Sequence, residues 1–81
     1  MAVVARSGGL EVATLPSGRM VVSYTGTTAH TLESVRTAYE GLYGKDRFAR
    51  MLTRAEVSGS PKNVWCAVLE KSEFEQSLRD I

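Results

Sequence analysis

Eighty-one residues suffice for one domain with one modest core, because a chain of this size buries only about 60–65% of its unfolded surface. Hydrophobic residues at 43% and charged residues at 23% exclude a disordered composition. Ten Lys plus Arg against nine Asp plus Glu exclude a whole-molecule field that would hold the chain on nucleic acid or anionic lipid.

The apolar start Met1-Ala2-Val3-Val4-Ala5 is too short for a signal-peptide core, and the longest later apolar run, Val64 to Leu69, is six residues, far below a membrane span. A cytoplasmic or virion-borne protein with no membrane partner is expected. Residues 1–9 end in Arg6-Ser7-Gly8-Gly9 and read as a flexible lead, to which Val3 and Val4 could add an edge strand; residues 10–81 read as a single small domain. Leu10 to Leu15 is β-permissive and Met20 to Tyr24 is rich in Val and Tyr. Between them Pro16 presets a turn and Gly18 accepts a positive φ, so the two segments form a hairpin.

Thr25 to His30 is a polar connector, and the Thr31 hydroxyl is placed to cap a helix. Leu32, Val35, Tyr39, Leu42 and Tyr43 then recur at three- and four-residue intervals, an apolar stripe with Glu33, Arg36 and Glu40 on the wet side. Gly44 supplies the stop.

Residues 46–57 fit either period. As helix, Asp46 caps, Phe48, Met51, Leu52 and Ala55 make the stripe, and Gly59 ends it. Ser60 and Pro61 would then open another helix through Val64, Trp65, Val68 and Leu69. As strand, Phe48 to Val57 and Val64 to Leu69 form a second hairpin, and Ser72 with Glu75 boxes a last helix holding Phe74, Leu78 and Ile81. Composition favours helix, since only Thr53 and Val57 in this segment are β-branched. The expected fold is therefore α+β, an antiparallel hairpin packed on about three short helices, with a doubled hairpin-helix unit (ββαββα) as the alternative.

No residue pattern specifies catalysis, a metal or a cofactor. Cys66 is the single cysteine, with no zinc-site spacing around it, and its apolar neighbours read as a buried inert thiol. His30 lies in a polar connector without a nucleophile beside it. Glu70, Glu73 and Glu75 read as a solvated face. Arg47, Arg50 and Arg54 share one face if their segment is helical, with Lys45 and Lys62 near its ends, and form the one local basic patch. Trp65 reads as core first and interface anchor second. Leu52 to Leu69 also partly matches a helix-turn-helix, with Ala55 and Gly59 at its crossing and turn.

The hairpin and connector resemble the head-to-tail joining protein W family of tailed phages, through Val12-Ala13-Thr14, Gly18-Arg19, and Thr25-Gly26-Thr27-Thr28 leading to Leu32. The resemblance covers about a third of the chain. It implies a small virion component whose hairpin and helix pack in a ring against capsid and tail subunits, with Arg19 and the hairpin tip as contacts. The chain departs from the family in having no helix before the hairpin and in everything from Lys45 onward.

These readings converge on a small non-catalytic protein-interaction module of phage or bacterial type, an assembly component, adaptor or inhibitor docking by a sheet edge or helix face. Its expected partner is a protein, another copy of the chain included. The candidate contacts are Arg19, Arg47, Arg50, Arg54, Lys62, Asn63 and Trp65. The alternative is a helix-turn-helix protein binding DNA through Arg50, Arg54, Lys62 and Asn63.

Overall fold

The structure, a computed structural model, describes residues 2–24, 32–59 and 65–79. In chain order the elements are β1 (Ala2–Ser7), β2 (Leu10–Thr14), β3 (Arg19–Tyr24), α1 (Leu32–Tyr43), α2 (Arg47–Leu52), β4 (Glu56–Ser58), β5 (Trp65–Glu70) and α3 (Lys71–Arg79). The strands form one antiparallel sheet in the order β1-β2-β3-β5-β4. The fold is α+β, as expected.

The β2–β3 hairpin forms where Pro16 and Gly18 place it. Gly18, at φ +90°, donates its N–H to the Leu15 carbonyl at 2.9 Å, and Leu15 donates to Arg19 at 2.8 Å. Strand alternation then sorts the side chains. Val12, Val22 and Ala67 pair in one row across β2, β3 and β5, Met20 faces Leu69, and Tyr24 faces Trp65, so all of these share one face.

The helices cover that face. α1 supplies Val35 and Tyr39, α2 supplies Phe48 and Met51, and α3 supplies Phe74 to a single apolar core. Rings link the layers: Phe48 lies 5.7 Å from Tyr39 and 5.8 Å from Trp65, and Tyr43 meets Phe74 edge-on at 5.6 Å. α1 ends where Gly44, at φ +112°, donates to the Glu40 carbonyl at 2.8 Å, the stop the sequence announces.

Three expectations need correction. Residues 2–7 are not a loose lead: Ala2–Ser7 is an edge strand paired with β2, and Gly8-Gly9 makes its turn. The helix expected over residues 46–57 stops at Leu52, where Arg54 and Ala55 donate to the Met51 and Leu52 carbonyls in tight three-residue turns, and Glu56–Ser58 is a strand. Trp65–Glu70 is likewise a strand, not a helix, because the exposed flank of β3 offers it a six-residue ladder. With that, the second helix of the helix-turn-helix disappears. Among the described residues three helices form, the number the favoured reading had, while the second hairpin, β4–β5, and the last of those helices, α3, come from the other. The Thr31 cap, the connector with His30, Ser60-Pro61, Lys62, Asn63, Val64 and Ile81 lie outside the described residues.

Candidate interaction surface

Because the helices contribute their buried side chains to one face, the opposite face of the sheet is left without a helical layer among the described residues. The pairing register places Val3, Ala13, Val21, Val68 and Glu56 in one row crossing all five strands. The next row is Arg6, Glu11, Ser23, Cys66 and Ser58. Val21 and Val68 are half-buried, and Ala13 is buried. The surface is thus an apolar band with polar margins.

Those margins are electrically compensated. Arg6 Nε donates to Glu11 Oε2 at 3.1 Å, and at the other end Arg19 Nε donates to Glu70 Oε1 at 3.1 Å. Ser58 Oγ and Cys66 Sγ lie 3.0 Å apart on the same face. Cys66 is therefore half-buried and turned away from the core, not the interior thiol its apolar neighbours suggested.

The residues expected to make contacts are dispersed. Arg19 stands beside the hairpin tip in its pair with Glu70. Arg47 and Arg50 lie on α2, half-buried, with Arg50 Nη1 buried and lacking a hydrogen-bond partner. Arg54 follows α2 in the turn and pairs with Glu73 of α3, so the three-arginine helical face does not form. Trp65 is core, 2% exposed, which removes it as a surface anchor. Glu70 and Glu73 are spent on those arginines, and Glu75 is exposed.

Among the described residues two concavities stand out, one at the sheet end and one on the helical side. One of about 140 Å³ sits at the sheet end, where Arg19 and Arg54 face Glu56, Glu70 and Glu73 above Val68. Both arginines are paired with glutamates. The other, about 440 Å³, is a groove between α1 and α2 lined by Leu32, Phe48, Ala49 and Leu52, with Glu33 and Arg36 on its rim paired at 3.5 Å. Among the described residues no group of three or more His, Cys, Asp or Glu side chains is placed to hold a metal.

In the core, burial raises the Tyr39 and Tyr43 phenols above the ordinary value of 10.0. For Tyr39 the neighbouring Tyr43 adds to the rise and Ser77 opposes it. Ser77 lies beside the Tyr39 hydroxyl, but that oxygen has no partner in hydrogen-bond geometry, and Ser77 donates its own proton to the Phe74 carbonyl at 2.6 Å.

Sequence reasoning missed the uncovered face. Its signal was strand geometry alone, which sets Val21 and Ser23 of β3 opposite to Met20 and Val22. No helix among the described residues is long and apolar enough to cross a membrane. No protein-family model, curated protein or solved structure matches the chain.

Proposed function

We propose that the chain is a small protein-interaction module of phage or bacterial type, an assembly component, adaptor or inhibitor that works by docking onto a larger protein complex. The observation that carries this reading is the one-sided sheet, whose uncovered face runs as an apolar row, Val3, Ala13, Val21 and Val68, between neutral ion pairs. Such a face suits a protein surface of mixed charge with its own apolar strip, since an apolar centre within a polar rim is how protein interfaces are built. It does not suit a polyanion, because Arg6 and Arg19 are both neutralised by glutamates. The phage-type reading draws support from the hairpin-and-helix resemblance.

Affinity capture from the source organism tests it. The full chain is compared with a Val21→Glu, Val68→Lys variant whose fold is checked by circular dichroism. The wild-type chain is expected to retain a defined protein that the variant loses. Equal retention by a folded variant would remove the uncovered face as the docking surface.

A further inference from the structure

We propose that the protein docking on the uncovered sheet face presents an apolar strip that ends in a lysine or arginine, and that Glu56 is the residue that selects it. The inference rests on the docking reading above and names the chemistry of the partner at one end of that surface.

Each of the five strands carries one charged residue, in chain order Arg6, Glu11, Arg19, Glu56 and Glu70. The pairing register sets all five on the uncovered face. Arg6 with Glu11 and Arg19 with Glu70 form ion pairs at 3.1 Å. Glu56 is the exception, exposed and without an ion pair among the described residues.

Position gives that charge its consequence. Glu56 pairs directly with Val68, so it closes the apolar row of Val3, Ala13, Val21 and Val68 at the β4 end. Directly paired side chains stand about 5 Å apart, and a surface that packs over Val68 therefore takes water from the Glu56 carboxylate as well. An apolar or acidic group placed there leaves a desolvated, unpaired charge, which is costly. A lysine or arginine turns the same burial into a charge-assisted hydrogen bond.

The concavity at the sheet end receives the cation. Its volume of about 140 Å³ far exceeds the roughly 10–15 Å³ that one water needs, so the end of a side chain can enter. Arg19 and Arg54 there meet three glutamates, Glu56, Glu70 and Glu73. Glu70 and Glu73 each hold one arginine, which leaves the surplus negative charge on Glu56. Val68 and Leu69 also line the space and suit the apolar stem of a lysine or arginine. The β1 end carries the neutral Arg6–Glu11 pair, so the lone carboxylate also fixes the direction in which the partner lies. From Val3 to Val68 the row crosses three strand spacings, about 14 Å, and Glu56 stands about 5 Å further on. A single pair of this kind sets specificity and orientation more than affinity.

The test pans a displayed library of disulfide-closed β-hairpin peptides, randomised along one face, against the immobilised full chain and three variants whose folding is checked by far-ultraviolet circular dichroism. The wild-type chain is expected to enrich apolar peptides with Lys or Arg at one end. Glu56→Gln should keep the apolar preference and bind the selected peptides about threefold more weakly. Glu56→Lys should weaken them at least about tenfold and, when panned itself, enrich Asp or Glu in place of the cation. The Val21→Glu, Val68→Lys variant should enrich none of them. Apolar peptides with no basic preference, or a basic preference unchanged in folded Glu56→Lys, would overturn the proposal and leave the docking reading standing. Peptides that bind the Val21→Glu, Val68→Lys variant as well as the wild-type chain, or no enrichment on the wild-type chain, would remove the docking reading and this inference with it.

Discussion

Tyr39 carries the clearest unmet cost of any single side chain in this core. It is fully buried, and its hydroxyl lacks a hydrogen-bond partner, a deficit worth about 1–3 kcal/mol in proteins generally. Removing the oxygen removes the deficit without opening a large cavity, so Tyr39→Phe is expected to hold or raise stability by up to about 1 kcal/mol in urea melts at neutral pH. The same burial predicts an alkaline weakness. The folded chain keeps the Tyr39 proton above the ordinary value of 10.0, whereas the unfolded chain releases it there. From about pH 10 upward the native state binds more protons, and stability falls by about 1.4 kcal/mol per pH unit for one such group. Below that pH the contribution is fully present. Tyr39→Phe should lessen the slope and leave the part due to Tyr43, whose phenol is also raised; identical slopes in the two proteins would refute the assignment. Asp46 offers a second gain. It stands at φ 66° before α2 and makes no side-chain cap, while its N–H donates to Glu40 Oε2 at 3.0 Å. Asp46→Gly keeps that bond, removes the crowding of a left-handed residue, and should raise the melting midpoint through a gain of up to about 1 kcal/mol.

Among the elements, α2 is the shortest helix, yet it joins the other layers. Phe48 touches the Tyr39 ring of α1 and the Trp65 ring of β5. Phe48→Ala should therefore cost about 3–4 kcal/mol in chemical denaturation, with the loss reported by Trp65 fluorescence. Trp65 is the single tryptophan and is shielded from water, so native emission should be blue-shifted and resist acrylamide, turning red on unfolding. The β2–β3 hairpin, α1 and the Gly44 stop were legible in sequence because turn, cap and stripe signals act between near neighbours. β5 was not. Val-Trp-Cys-Ala-Val-Leu suits helix or strand equally, and what decides is a ladder with β3 whose end residues, Arg19 and Glu70, are 51 positions apart. β1 was legible only as an edge strand that Val3 and Val4 could add to a flexible lead, since Arg6-Ser7-Gly8-Gly9 reads as slack chain until β2 is present to pair with it. The candidate site suffered likewise: Arg19 and Arg54 could be picked out as cations, but the glutamates that neutralise them come from distant elements.

At the scale of the whole molecule, compensation governs the electrostatics. The formal net charge is +1, and Arg6, Arg19, Arg36 and Arg54 each lie in an ion pair with a glutamate. Opposite charges this close cancel beyond about one Debye length, roughly 10 Å at 0.1 M salt, so the chain projects little field toward a distant partner. Binding to duplex DNA needs the reverse, several uncompensated cations that release counterions from phosphates. Within the helix that would enter the major groove, Trp65 to Leu69 form part of β5 instead. Fluorescence anisotropy with labelled duplex DNA is thus expected to show no binding at low salt, and Arg50→Ala with Arg54→Ala should change nothing. Binding that falls steeply with salt and vanishes in that double variant would instead place the partner among nucleic acids and sink the protein-docking reading. Docking onto protein should behave oppositely, with salt altering it little and a charge at Val21 or Val68 abolishing it, because the apolar row rather than the compensated arginines would supply the contact.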